Sequence, residues 1–200
     1  MAFRRLRAHP VAARTRALDR AVDAAVSRAR NPVLDAVFYP LSSAADHSLL
    51  WLAVVGVREV LGKARPGTAV RLAAVLGVES AVTNLVLKTV VGRIRPALDP
   101  ALSGALPWGL RRPVTSAFPS GHASAGFTTA MFLSRADPGP PWYLIAGLVG
   151  FSRVYVRFHH ASDVIAGAAL GLAFGSVARR FAPPAPPPPA GPPVTPGNAG

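Results

Sequence analysis

Four or five apolar segments follow one another in this chain, and its ionisable residues gather at the segment ends. The segments run over residues 47–62, 69–91, 120–133, 142–158 and 163–177. A lysine–arginine–proline–glycine turn at Lys63, Arg65, Pro66 and Gly67 separates the first two, and Asp137 to Pro141 break the chain between the third and fourth. A helix that is apolar all round belongs in lipid or in the core of a large protein. Half of the residues are hydrophobic, 16% are charged and the mean hydropathy is +0.33. A soluble domain carries about 25% charged residues. The pattern therefore predicts an all-α, polytopic membrane helical bundle of about five transmembrane helices.

The formal net charge of +13 is distributed in a way that separates its possible meanings. Eight arginines lie in the first 30 residues, and the others form short clusters between apolar runs. Membrane flanks have this distribution; a continuous nucleic-acid-binding face does not, so no nucleic-acid partner is expected. The first 30 residues hold no apolar run long enough for the core of a signal peptide. Within them Leu18, Val22, Ala25, Val26 and Ala29 recur at helical spacing, with Arg20, Asp23, Arg28 and Arg30 between. This reads as an amphipathic helix on the membrane surface, its arginines facing anionic lipid headgroups. Residues 32–46, with Pro40, Asp35 and Asp46, are expected to skirt the interface. The stretch 182–200 has nine prolines and no charged side chain, so it is expected to be disordered or partly polyproline II. The expected organisation is a basic region at 1–46, a membrane domain at 47–181 and a proline-rich tail at 182–200. With no cysteine, disulfides, thiolate catalysis and cysteine metal sites are excluded.

An ionisable group in lipid is costly, about 2.5–3.5 kcal/mol at a helix centre on insertion scales, so its position carries information. Lys88, Arg93 and Arg95 close the second segment, His122 opens the third, Arg153, Arg157, His159 and His160 close the fourth, and Asp163 opens the fifth. Consecutive spans reverse direction. Those four ends therefore share one side of the membrane, and three sequence-distant clusters can converge there. Fixed cations suit a phosphate, whose oxygens match the guanidinium fork. Ser120-Gly121-His122 opens a helix after Pro119, where backbone N–H groups form an anion site. Two histidines can divide nucleophilic attack from protonation of a leaving oxygen.

These residues fall into three motifs. Lys88 to Pro96 has the form K-x6-R-P, Pro119 to His122 is P-S-G-H, and Ser152 to Asp163 is S-R-x5-H-x3-D. In order and spacing they resemble the three-part signature of the type 2 phosphatidic acid phosphatase family, whose site is shared by vanadium haloperoxidases. The resemblance covers about residues 69–177. It implies that Lys88, Arg95 and Arg153 bind phosphate oxygens and that Ser120 and the Gly121 backbone complete the cradle. It further implies His159 as nucleophile through a phosphohistidine, Asp163 orienting His159, His122 as general acid, and no metal or other cofactor. His160 adjoins His159, but His159 has the motif spacing, and Asp163 reaches it across an i, i+4 pair if the turn there is helical.

The expected activity is that of an integral-membrane, metal-independent lipid phosphatase acting on a membrane lipid phosphate: phosphatidic acid, phosphatidylglycerophosphate, or a polyprenyl phosphate or diphosphate. The rivals are a non-catalytic lipid-phosphate binding or transport protein and haloperoxidase chemistry. Of the remaining polar residues, Arg93 and Arg157 are expected to reach headgroups. Glu79 either pairs with a basic residue across helices or lies near the interface. Trp51, Trp108, Trp142 and Tyr143 are expected as interfacial anchors. Five spans put the arginine-rich N-terminus on the same side as the site, which the positive-inside rule makes cytoplasmic; a sixth span over 32–46 would move the site to the outer face.

Overall fold

Helix boundaries follow the punctuation of the sequence closely. The structure is a computed structural model and describes residues 10–98, 107–138 and 140–182, the side chains of His47 and Trp108 excepted. The proline-rich tail beyond residue 182 lies outside the described residues. The helices are α1 (Pro10–Ala29), α2 (Pro32–Ala44), α3 (Leu49–Val60), α4 (Thr68–Val91), α5 (Gly121–Ala136), α6 (Trp142–Tyr155) and α7 (Ala161–Ala178), and no strand occurs among the described residues. Two rods, Thr68–Val91 and Ala161–Phe181, are long and apolar enough to cross a membrane. Val57, Val78, Leu85, Leu144, Ile165 and Val177 are exposed on the bundle's exterior, as lipid-facing positions would be.

Each start has a local cause. Asn31 caps α2, its side chain accepting from Val33 N and Leu34 N at 3.0 Å each, and Pro32 follows at the first turn, where its missing N–H costs nothing. Glu59 accepts from Gly67 N at 3.3 Å and from Ala69 N, placing a negative charge on the N-terminus of α4. Residues 82–87 of α4 form a π turn, after which the last turn carries Lys88.

The alternating directions of α3 to α7 put the start of α3, the end of α4, the start of α5, the end of α6 and the start of α7 at one end. At the other end Arg58 of α3 pairs with Asp137, its Nη2 donating to Oδ1 at 2.7 Å. The Trp142 Nε1–H donates to the Asp137 carbonyl at 2.7 Å, and the Arg58 guanidinium lies 5.8 Å above the Trp142 ring. Trp51 and Trp142 are thus buried core residues, not interfacial anchors. For Trp142 the ring N–H acceptor is Asp137 and the cation is Arg58 of α3, in place of headgroups.

The N-terminal region is also more engaged than its sequence implies. In α1 the face turned to the protein carries Asp19, Val22 and Val26, while Leu18 is 44% exposed. Val22 and Val26 pack into a cluster with Tyr39, Val154, Tyr155 and Phe158. Arg30 stacks over the rings of Tyr39 and Tyr155 at 5.4 and 5.6 Å. Residues 32–44, expected to skirt the interface, form α2 and pack against α6, where Tyr155 Oη donates to Asp35 Oδ1 at 2.7 Å.

Within lipid the hydrophobic effect gives helices no reason to prefer one another over acyl chains, so close packing must come from small residues. Gly167, Gly171 and Gly175, four apart on α7, form a stripe against α5. A Cβ on Gly167 would stand 2.4 Å from the Ser120 carbonyl oxygen, on Gly171 2.3 Å from that of Ser124, and on Gly175 2.5 Å from Met131 Cβ. Thr128 Oγ1 donates to the Gly171 carbonyl at 3.2 Å across the same seam. This seam fixes the register of the two helices that carry His122 and Asp163. Gly171→Ala should force α5 and α7 apart and lower Tm by about 2–12 °C, given about 1–3 kcal/mol for overpacking. Gly147→Ala, where no heavy atom lies within 4 Å, should leave Tm unchanged in the same detergent melts.

Candidate active site

Helix α6 does not run on into α7, and its ending sets the geometry. Arg157 takes a left-handed conformation with φ 59°. Phe158 N donates to the Arg153 carbonyl at 3.0 Å and Arg157 N to that of Val154 at 3.0 Å, a Schellman-type stop. His159 N also donates to the Arg153 carbonyl, at 3.1 Å, so the first residue free of the helix is tied to the cation one turn below it. His160 then caps α7, and its N–H donates to Asp163 Oδ2 at 2.8 Å.

The His159 ring is 2% exposed. Its Nδ1 lies 2.7 Å from the Ala117 carbonyl oxygen. A carbonyl can only accept, so Nδ1 carries the hydrogen and Nε2 keeps its lone pair. That Nε2 faces Arg95 Nη1 at 3.3 Å. Burial, then the Arg95 and Arg153 cations, hold the His159 pKa well below its ordinary 6.5, so the neutral ring prevails at neutral pH. The expected contact with Asp163 is longer than a hydrogen bond, 3.9 Å from Nδ1 to Oδ2. The i, i+4 face is lost because residues 156–160 are not helical.

The cations cluster as expected. Arg95 directs its donors to backbone carbonyls, those of Thr115 at 3.0 Å, Ser116 at 3.2 Å and Phe158 at 2.6 Å. Arg153, 1% exposed, donates through Nη1 to the Ser42 carbonyl at 3.0 Å and to Ser42 Oγ at 2.7 Å, while its buried Nε has no hydrogen-bond partner among the described residues. Lys88 comes to the N-terminus of α5, where the position of a Gly121 Cβ would be 3.7 Å from Lys88 Nζ. A side chain there would crowd the approach to the helix N-terminus. Ser120 caps α5 through Oγ, accepting from Ala123 N at 3.5 Å, so its hydroxyl hydrogen is left to donate elsewhere. Ser120 N donates to the Asp163 carbonyl at 3.0 Å, joining the second motif to the third.

His122 Nε2 lies 2.8 Å from Asp46 Oδ1, and the same oxygen is 3.3 Å from Arg153 Nη1. Asp46 and Ser42 are therefore site-side residues that the motifs do not contain. The sequence signal for Asp46 is only an acid placed just ahead of the segment at 47–62. Glu79 meets the first of its alternatives only in part. It is buried, accepts from Thr83 Oγ1 at 2.7 Å and from Ser124 Oγ, and feels Lys88 through space. A cavity of about 1070 Å³ opens beside these residues, lined by the charged or polar Lys88, Arg111, Arg112, His122, Asp46 and Glu79 and by the apolar Trp51, Leu52 and Leu76.

Neither Arg93 nor Arg157 reaches outward to headgroups as expected. Arg93 bridges two carboxylates, Asp19 and Asp163. Arg157 donates to Ser27 Oγ of α1 and to the Ala97 carbonyl at 3.4 Å. His160 turns towards α1, its Nδ1 3.6 Å from Asp23 Oδ2, away from the cations around His159. Among the described residues no three His, Asp or Glu side chains are grouped to hold a metal ion.

Fold and site together define a helical bundle of membrane type with a cluster of cations and the histidines His122 and His159 at one end. The chain belongs to the PAP2 superfamily, whose family model matches residues 68–186. It is 34% identical over 84 residues to the lipid A 1-phosphatase of Porphyromonas gingivalis, 38% of this chain and 19% of that protein. It is 30% identical over 93 residues to the decaprenylphosphoryl-5-phosphoribose phosphatase of Mycobacterium tuberculosis, 46% of this chain and 50% of that protein. The chain thus spans half or less of the length of these curated relatives. A transmembrane PAP2 type phosphatidylglycerolphosphate phosphatase from Bacillus subtilis superposes with TM-score 0.63 at 26% identity, over 83% of this chain and 85% of that one. Aquifex aeolicus LpxE superposes with TM-score 0.60 at 25% identity, over 79% and 92% respectively.

The tautomer and burial of His159 give a direct check. In histidine-labelled protein in micelles, the NMR resonance lost in His159→Ala should titrate with a midpoint well below 6.5, the free-imidazole value. A midpoint at or above that value would mean a protonated ring at mildly acid pH and no lone pair at Nε2.

Proposed function

We propose that this protein is an integral-membrane lipid phosphatase that hydrolyses a phosphomonoester or diphosphate of a lipid through a phosphohistidine at His159. The observation that carries the reading is the Nδ1–H of His159 on the Ala117 carbonyl, which leaves Nε2 as a lone pair beside Arg95. Lys88, Arg95 and Arg153 hold the phosphate oxygens, with the Ser120 hydroxyl and the Gly121 N–H completing the cradle. Nε2 attacks phosphorus in line, the phosphorus–oxygen bond to the lipid breaks, and His122 gives its proton to the departing oxygen. Water then attacks the phosphohistidine, His122 takes its proton, and inorganic phosphate leaves. Asp163 acts on His159 through the fold around it, and Asp46 holds His122.

The catalytic unit is assigned to residues 47–181, preceded by the basic region 1–46 and followed by the tail 182–200. Candidate substrates are phosphatidic acid, phosphatidylglycerophosphate and polyprenyl phosphates or diphosphates. The lipid phosphates named for the relatives support this class, and so does a cavity lined by both charged and apolar side chains. The exposed Arg14, Arg20 and Arg28 of α1 rest on anionic headgroups of the cell membrane in this reading.

Purified protein in detergent should release phosphate from such a substrate panel in EDTA as well as in magnesium. His159→Ala should reduce release to background, and His122→Ala should lower kcat on the order of 10²–10⁴-fold. Strict dependence on added metal, or full activity in His159→Ala, would refute the mechanism.

A further inference from the structure

We propose that Asp19, on the N-terminal helix and outside the stretch matched by the family, is a positioning residue for the reaction. It would act through Arg93 on the two groups that set His159. The inference rests on the phosphatase reading above. Asp19 is 3% exposed, although it lies on a helix otherwise rich in exposed arginines. Its Oδ1 accepts from Ser162 N at 2.9 Å, and its Oδ2 accepts from Ser162 Oγ at 2.9 Å and from Arg93 Nη2 at 2.5 Å. A carboxylate borrowed from another helix thereby caps the first turn of α7, the turn that carries Asp163.

Arg93 passes this on in two directions. Through Nη1 it donates to Asp163 Oδ1 and, at 2.8 Å, to Ser162 Oγ. Through its backbone it holds the segment that orients the nucleophile: its N–H donates to Ser116 Oγ at 2.9 Å and its carbonyl accepts from Ala117 N at 2.9 Å. The Ala117 carbonyl is the acceptor for His159 Nδ1. One residue thus ties both groups to α1, the Asp163 carboxylate through its guanidinium and the His159 acceptor through its backbone. Burial raises the Asp19 pKa, but the hydrogen bonds from Ser162 and the Arg93 cation outweigh it, so the carboxylate stays charged. Asp19 touches none of the cradle residues Lys88, Arg95, Ser120 or Arg153 in this network, so its removal should disturb the chemical step more than phosphate binding.

Asp19→Asn is the sharp test. Its amide can still accept from Ser162 N but presents a donor to Arg93 in place of a charge. With wild-type activity established, Asp19→Asn should lower kcat on the order of 10–100-fold, as displaced reacting groups do. KM and the inhibition constant of orthovanadate, a tetrahedral phosphate mimic, should stay within about threefold of wild type. Asp19→Ala should fall further, and Ala17→Gln, at an exposed position on the same helix, should match wild type. Asp19→Asn with kcat within twofold of wild type would overturn the inference. So would a parallel loss of kcat, vanadate binding and Tm, which would make Asp19 merely structural. An equal loss in Ala17→Gln would overturn it as well, because any change on α1 would then impair the reaction. An inactive wild type would bring down the phosphatase reading and this inference together; an active wild type with a silent Asp19→Asn brings down only this one.

Discussion

The arrangement at one end of the bundle is governed by how buried positive charge is solvated. Arg93 and Arg95 stand two residues apart and receive opposite treatment. Arg93 meets two carboxylates, from Asp19 and Asp163, and its charge is cancelled. Arg95 meets the carbonyls of Thr115, Ser116 and Phe158, which satisfy its hydrogen-bonding needs without cancelling its charge. Dipoles orient a cation while leaving its field intact; a carboxylate removes the field as well. Arg95 therefore still projects positive potential towards the His159 ring, and Arg93 serves as a structural tie.

Holding like charges together in a poorly hydrated place requires a rigid frame, and the frame here is backbone contact between α5 and α7. Gly167 lies against the Ser120 carbonyl, and Ser120 N in turn reaches the Asp163 carbonyl. The cap residue of one helix and the first turn of the other thus share a fixed distance. The stop after α6 does the equivalent work for His159, whose N–H is anchored on the carbonyl of Arg153. In both cases a side chain of the candidate site is placed by main-chain hydrogen bonds within one or two residues of it, so little side-chain freedom would be left to lose in the proposed reaction.

The legible part of this protein was whatever depends on the order of spans. Reversal of direction alone brings Lys88, Arg95, His122, Arg153 and His159 to one end, and the structure places them there. The all-helical class and the break at residues 137–141 were equally open to reading, because charge depletion and proline leave few alternatives. Partners set by packing were not legible. Asp46 and Asp19 are each one of two acids in mixed segments, separated from His122 and Arg93 by 76 and 74 residues, and no periodicity links such pairs. Trp51 and Trp142 are of a residue type common at interfaces yet lie inside, and Trp142 finds its ring N–H acceptor and a cation within the bundle. The glycines at 167, 171 and 175 had a readable spacing of four, and their role becomes evident only once the carbonyls of α5 are seen against them.

The cavity beside His122 is lined by both charged and apolar side chains, the latter including Trp51, Leu52 and Leu76 of α3 and α4. Extracting an acyl or prenyl chain from a bilayer costs about 0.8 kcal/mol for every methylene exposed to water. A ligand that slides in sideways with its tail still among neighbouring chains avoids that cost altogether. Discrimination would then fall on the few atoms nearest the phosphorus, and tails of very different length would be handled alike.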